Sequence, residues 1–496
     1  MTDIKLSKSQ YCSAIQCPKM LWLKKNKPEA FDETVLNQAV LEAGNEVGDL
    51  AMGLFGPYVE VPFGNLGEMI RQTKALLEEN TPVVTEASFS YQGLFCSVDI
   101  LKNLGGSRVE LYEVKSSTEV KPIHYHDAAF QAYVLTKLGY IVERICIVHI
   151  NNQYVRHGDL DLQQLFEVAD VTVEARAMLP DVDTNLERFS EYLAQAEEPT
   201  DDIGPFCSDP NPCGFWGYCT RGICSPSVFD LYKMGFKKKI ELYRRSVVSF
   251  RDLVREQSVT NDKQRRQIMY GLFDMGDYID REQIRQFLSQ LSYPLYFLDF
   301  ETVQSTIPQY EGTKPYAQIP FQYSLHYIES EGGELKHREF LAEPGTDPRR
   351  PIAERLCADI PSDVCVTAYY KSFECSRLQE LVDTFPDLAA HLRSISDHVV
   401  DLLVPFQSGW YYNRAMGGSF SIKSVLPALF PDDPSLDYHN LEQIHNGSEA
   451  MNAFPAMEQM SPEEQEQTRR NLLKYCELDT YAMVKIWLRL NEVVQM

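Results

Sequence analysis

Residues 293–303 read YPLYFLDFETV. Tyr293 to Phe300 are aromatic or leucine at nearly every position, the pattern of a buried strand, yet Asp299 and Glu301 stand at its end. Side chains two apart on a strand leave the same face. Two carboxylates on one face of a core strand repel each other and lose hydration. A bound cation is the simplest compensation.

Working outward, three strand-like runs follow one another from about residue 291: PLYFLDFE, FQYSLHYIES and LKHREFLAE, with GG in ESEGGEL as a hairpin turn between the last two. Helix RRPIAERLCADI, strand VCVTAYY and helix FECSRLQELVDTF come next. A final helix over about 461–494 opens with Ser461 as N-cap, Pro462 in the first turn and Glu464 completing a capping box. This order predicts an α/β layer with helices packed on a sheet. On the last helix Tyr475 and Asp479 are four apart and share the face of Met483, which points inward.

DxE on a first strand (Asp299, Glu301), an acid after a phenylalanine in SFE (Glu374) and YxxxD near the end (Tyr475, Asp479) occur in this order. The set resembles the DEDD exonucleases, the DnaQ-like branch of the ribonuclease H superfamily, in its tyrosine-containing subclass, over roughly 295–490. The resemblance implies that Asp299, Glu301, Glu374 and Asp479 hold Mg²⁺ or Mn²⁺, hard ions suited to oxygen ligands. It implies that Tyr475 orients the attacking water, with 3′ to 5′ polarity. That family has Asn and Asp in its middle motif where this chain has AYYKSFECSRL, so Asp401 in HVVDLLVPF is the alternative to Glu374.

The first part of the chain begins with helical patterns such as ETVLNQAVLEAGNEVGDLAMGLF. Strand-like TEASFSY, GLFCSVDIL and RVELYEVKSS follow, then helix HDAAFQAYVLTKLG and strand VERICIVHI. Asp99 ends one strand; Glu113 and Lys115, two apart, lie on the next. A strand-borne D…ExK resembles the PD-(D/E)XK nucleases, and HDAAFQAYVL resembles the glutamine–tyrosine helix of their RecB-like branch. The resemblance implies Mg²⁺ or Mn²⁺ on Asp99 and Glu113, with Lys115, Gln131 and Tyr133 as further catalytic residues. A plain Lys–carboxylate ion pair is the structural alternative. His124 and His126 precede the helix as surface or helix-start histidines, and Glu46 or Glu86 stands in for the histidine that this branch carries on its first helix.

Cys12 and Cys17 near the start, with Cys207, Cys213, Cys219 and Cys224 after the nuclease motifs, resemble the iron–sulfur staple of RecB-like nucleases, over about 5–225. That resemblance implies a [4Fe–4S] cluster on Cys17, Cys207, Cys213 and Cys219, with Cys224 as substitute and Cys12 as outsider. The family's CxxC is missing, and Zn²⁺ is the alternative.

A chain of 496 residues and 44% apolar composition predicts several cores. The expected organisation is a restriction-endonuclease-like domain over 1–225, a basic helical connector over 226–290 and a ribonuclease H-like domain over 291–496. MTDIKLSKSQYC lacks a signal-peptide pattern and no run reaches membrane-spanning length, so a soluble, cytoplasmic protein with reduced cysteines is expected. A net charge of −24 argues against a general polyanion binder. Tyr232 to Arg266 is the exception, with eleven Lys/Arg against four Asp/Glu. Such a segment suits a phosphate backbone or a solvated helical face. Phe236, Tyr243 and Phe250, seven apart, suit base stacking or, with greater weight, a core stripe. The expected function is a metal-dependent exonuclease on single-stranded DNA ends, in DNA repair or mobile-element defence. The alternatives are a nucleic-acid-binding adaptor with one or both centres silent, or an RNA exonuclease.

Overall fold

A computed structural model describes residues 4–35 and 38–496, so Leu36 and Asn37 of the first helical pattern lie outside the described residues. The architecture is mixed α/β. The chain divides into two compact units: residues up to Ile223 with Ser305–Ala317, and Cys224–Gln304 with Gln318–Met496.

In the first unit, Leu6–Ser7 leads into α1 (Lys8–Gln16), and a seven-stranded sheet is built on β1 (Val83–Tyr91), β2 (Leu94–Gly105) and β3 (Arg108–Lys115). Helix α2 (Pro122–Lys137) carries the chain from β3 to β4 (Ile141–Ile150), which pairs with it in parallel, as such a crossover requires. β5 (Phe166–Asp170) closes the far edge, and α3 (Leu179–Ala194) shares the core with α2. β1, β2 and β3 are antiparallel neighbours.

In the second unit, β6 (Leu295–Gln304), β7 (Gln318–Ile328) and β8 (Lys336–Leu341) form an antiparallel ladder, turned between β7 and β8 at Gly332, whose φ of +71° suits glycine. Next come α4 (Arg349–Asp359), β9 (Cys365–Ala368), α5 (Lys371–Thr384), α6 (Ala389–Asp397) and β10 (Val399–Asp401). The strand order is β8-β7-β6-β9-β10, with β9 and β10 parallel to β6. Alternation along β6 splits the core. Tyr296, Leu298 and Phe300 bury against α4, α5 and α6, while Leu295 and Phe297 bury with α7 (Ile422–Leu429), α8 (Gly447–Ala456) and α9 (Pro462–Gln495). Asp299 and Glu301 share the second face. α9 starts with the capping box expected at Ser461 and Glu464.

The basic segment belongs to the second unit. Tyr278–Ile279 pairs with Tyr411–Tyr412, and Ile284 and Phe287 are buried in the same core as Phe297.

Candidate metal centres

Opposite Asp299 and Glu301 in the ladder stand Ser324 and Gln322. α9 covers this face and turns Tyr475, Cys476 and Asp479 inward, while the first turn of α5 contributes Glu374. Glu301, Glu374 and Asp479 are buried. Among the described residues, none of the four carboxylates forms an ion pair. Burial and then Asp479 push the Asp299 carboxyl well above its usual range. Glu301 is raised by burial and then Asp299, and Glu374 by burial, Asp299 and Glu301. Burial takes Asp479 up to about 6, against a hydrogen bond from Tyr438 that favours its charged form. The buried Oε2 of Glu374 has no hydrogen-bond partner. One ligand atom each of Asp299, Glu301 and Cys476 lies within 4.8 Å of the others. Converging acids with an orphaned oxygen and no protein cation in ion-pair contact fit a site for hard divalent ions.

Around these acids stand residues that the sequence did not single out. Tyr438 donates a 2.6 Å hydrogen bond to Oδ1 of Asp479. Lys423 Nζ donates to the Tyr475 hydroxyl at 3.1 Å and lies 5.1 and 5.2 Å from the ring centres of Tyr438 and Tyr475. Cys476 Sγ lies 3.8 Å from Oδ2 of Asp299. Cys476 was open to detection as the neighbour of Tyr475, whereas Lys423 and Tyr438 lie in segments without a telling pattern. Asp401, the alternative to Glu374, accepts backbone N–H groups from Tyr370, Lys371 and Leu403, so it fixes the start of α5.

In the first unit, the register Ile100↔Tyr112 sets Asp99 abreast of Glu113. Lys115 Nζ donates to Oε1 of Glu113 at 2.7 Å and to Oδ2 of Asp127 at 2.6 Å, and Gln131 Nε2 donates to both carboxylates. A residue outside the expected set completes the network. Lys8 of α1 places Nζ 2.7 and 2.9 Å from the two oxygens of Glu113 and 3.8 Å from Asp99. Although burial raises Glu113, Lys115 and Lys8 hold its carboxyl far below the usual range. Burial and then Glu113 push Asp99 up to about 7.

Glu86 is opposite Asp99 on β1 by the flanking pairs Thr85↔Ile100 and Ala87↔Val98. Its φ of +53° is strained for a non-glycine in a strand, at a cost of about 1–3 kcal/mol. Glu46 is exposed. His124 lines the same cavity as Lys8, Cys12, Glu113, Lys115 and Asp127, and burial and then Lys115 lower it to about 4. His126 is lowered by burial.

Tyr133 does not join this network, because its hydroxyl donates to Asp183 on α3. Positions 131 and 133 are roughly 200° apart around a helix, so only one of them faces the acids.

Cys17, Cys207, Cys213 and Cys219 line one small enclosed cavity. Burial raises all four thiols, Cys17 to about 12 and Cys207 to about 11. Gly204 N–H points at Cys207 Sγ at 3.5 Å, an outer-shell contact of the kind that steadies a metal-bound thiolate. Four thiols on one cavity are the donor type of a tetrathiolate site, although their sulfurs are not among the groups whose ligand atoms lie within 4.8 Å of one another. Cys224, the substitute, is exposed and clusters with the second unit, so it is not brought to this cavity. Cys12 lies at the Glu113 cavity instead.

A separate cavity of about 390 Å³ in the second unit is lined by Lys233, Lys263, Arg266, Tyr232, Tyr412 and Phe420, among others. Phe250 is buried in the core, whereas Phe236 and Tyr243 are half-buried and pack on Phe229. Lys237, Lys238, Arg244 and Arg245 are exposed. Among the described residues, no helix is long and apolar enough to cross a membrane.

A family profile described as "Domain of unknown function (DUF2779)" matches residues 296–421, which takes in Asp299, Glu301 and Glu374 and stops short of Tyr475 and Asp479. Over 215 residues, 40% of this chain, it is 25% identical to "Uncharacterized protein MG366" of Mycoplasma genitalium and 27% identical to "Uncharacterized protein MG366 homolog" of Mycoplasma pneumoniae. The aligned part spans 32% of the length of each relative. No solved structure matches the chain.

Proposed function

We propose that this protein is a metal-dependent phosphodiester hydrolase, an exonuclease on single-stranded DNA ends, acting in DNA repair or mobile-element defence. One observation carries the reading: Asp299, Glu301, Glu374 and Asp479 converge without an ion pair, and an oxygen of Glu374 is left without a partner. The strand order β8-β7-β6-β9-β10, with only β7 running against the rest, supports a ribonuclease H-like unit. The three-strand ladder with Asp99 abreast of Glu113, followed by a helical crossover, supports a restriction-endonuclease-like one.

Asp299, Glu301, Glu374 and Asp479 would hold Mg²⁺ or Mn²⁺. Such ions supply neutralisation of the phosphoryl charge and activation of water. Tyr475 orients that water through its hydroxyl, for cleavage from the 3′ end. Lys423, bonded to the same hydroxyl, keeps a positive charge at the site and attracts the phosphate. Tyr438 holds Asp479 in place. In the first unit, Asp99 and Glu113 would bind the ion, with Lys115 stabilising charge and Gln131 orienting Glu113 and Asp127. Cys17, Cys207, Cys213 and Cys219 would carry a [4Fe–4S] cluster, with Zn²⁺ as the other ion that four thiolates accept. Lys233, Lys263 and Arg266, among tyrosines and Phe420, offer a single strand both charge and stacking surfaces.

Lys8 favours a second reading for the first unit alone. Its ammonium already neutralises Glu113, as in an adaptor whose acids form an internal ion-pair network.

The test uses end-labelled single strands with Mn²⁺ or Mg²⁺. Asp299→Ala and Asp99→Ala are each expected to abolish a distinct cleavage activity, and chelation to abolish both. Wild-type degradation by both variants overturns the hydrolase. Loss in Asp299→Ala alone assigns the first unit to the adaptor reading. A ribose strand that outcompetes DNA moves the substrate class to RNA.

A further inference from the structure

A second group of metal-type side chains lies on the sheet face that carries Asp299. His326 on β7 and His337 on β8 stand directly opposite each other in the antiparallel ladder, so both leave the same face. Their ring centres are 4.5 Å apart. Glu477 on α9 completes a triad in which one ligand atom of each residue lies within 4.8 Å of the others. Glu339 follows His337 by two positions on β8 and therefore shares its face.

Two imidazoles bonded to hydroxyls are common in cores, and such bonds are present. His326 Nδ1 lies 2.8 Å from Thr480 Oγ1, His337 Nε2 lies 2.9 Å from Ser324 Oγ, and the two hydroxyls are 2.7 Å apart. These bonds use one nitrogen of each ring and leave the other. They also fix ring orientation, as outer-shell partners do for ligating histidines. Core packing accounts for the hydroxyls but not for two neighbouring imidazoles with the Glu477 carboxylate in reach of both.

We propose that His326, His337 and Glu477 bind a divalent transition-metal ion of the Zn²⁺ class. Two imidazoles and a carboxylate suit that class, whereas the all-carboxylate centre suits Mg²⁺ or Mn²⁺. This site does not rest on the hydrolytic reading. Its ion would tie the middle of α9 to the sheet edge. Thr480 follows Asp479, and Ser324 stands opposite Asp299, so the His site has a positioning role toward the acids.

The experiment titrates Co²⁺, as a spectroscopic stand-in for Zn²⁺, into the metal-stripped full chain with excess Mg²⁺ to fill the all-oxygen centres. Expected, beside the sulfur-to-cobalt charge transfer of the cysteine site, is one further equivalent of Co²⁺ whose visible bands carry no such charge transfer, displaced by Zn²⁺ and retained in Asp299→Asn. His337→Ala is expected to lose it. Glu477→Gln, an exposed change that leaves the fold intact, is expected to weaken it about tenfold, or ~1.4 kcal/mol. Absence of the thiolate-free band in the wild type, or unchanged uptake in either His337→Ala or Glu477→Gln, overturns the assignment.

Discussion

Lys8 grips both oxygens of Glu113, at 2.7 and 2.9 Å, and so sets an ammonium where the acids of the first unit would hold a cation. Lys8→Ala is expected to destabilise the metal-free chain by about 3 kcal/mol, the cost of unpairing a buried charge. The same change is expected to tighten Mn²⁺ binding at Asp99 and Glu113 by about tenfold or more, since the ion no longer competes with the ammonium. Calorimetric titration checks this, and weaker Mn²⁺ binding than wild type would make Lys8 a support for the ligands.

Asp479 keeps its proton in the fold up to about pH 6, against roughly 4 when unfolded. Between these values the native state binds more protons than the unfolded one, so stability falls as pH rises. The contribution is full below about pH 4 and lost through about pH 6. In metal-free thermal unfolding, the wild type is therefore expected to lose on the order of 2–3 kcal/mol relative to Asp479→Asn across that window. Saturating Mg²⁺ should erase the difference, since binding to the charged native form stabilises it. A flat difference would count against the site's need for a cation.

Tyr475→Phe removes the hydroxyl assigned to the attacking water and should lower kcat about a hundredfold or more, with KM little changed. Tyr438→Phe removes the hydrogen bond that favours charged Asp479 and should move the acid limb of the pH–rate profile upward. Single-turnover rates on a labelled strand separate the two effects. An unshifted profile in Tyr438→Phe would reduce Tyr438 to packing.

Cys213→Ser should abolish the metal binding proposed for the four cysteines and lower the stability of the first unit, whereas Cys224→Ser should leave both unchanged. Iron and zinc content with visible absorbance read the outcome. Loss of metal in Cys224→Ser would reinstate it as a ligand.

Local order in the second unit was legible because period-two alternation and the Ser461–Glu464 cap are written in adjacent residues. The pairing of Asp299 with Glu301 on one face follows from the same alternation. The helix with Gln131 and Tyr133 was legible as a helix but not in phase, and the two residues point to opposite partners. Lys8, Lys423 and Tyr438 could not be read in advance. Each reaches its acid across a long stretch of chain, and a lysine or tyrosine in an ordinary helix or loop carries no local mark of that meeting. Cys224 shows the converse: closeness in sequence to Cys219 did not carry it to the same cavity.

α9 runs unbroken for 34 residues and presents Tyr475 and Asp479 to one set of acids and Glu477 to the two histidines. A helix is a screw, and inserting or deleting a single residue between Ser461 and Tyr475 would turn everything beyond it by roughly 100°. Length changes in that stretch are thus tolerable only in steps close to whole turns. A shift out of phase would unseat the phenol, the thiol and three carboxyl-bearing or hydroxyl-bearing neighbours together, so the helix evolves as one toothed part whose pitch is shared by every group mounted on it.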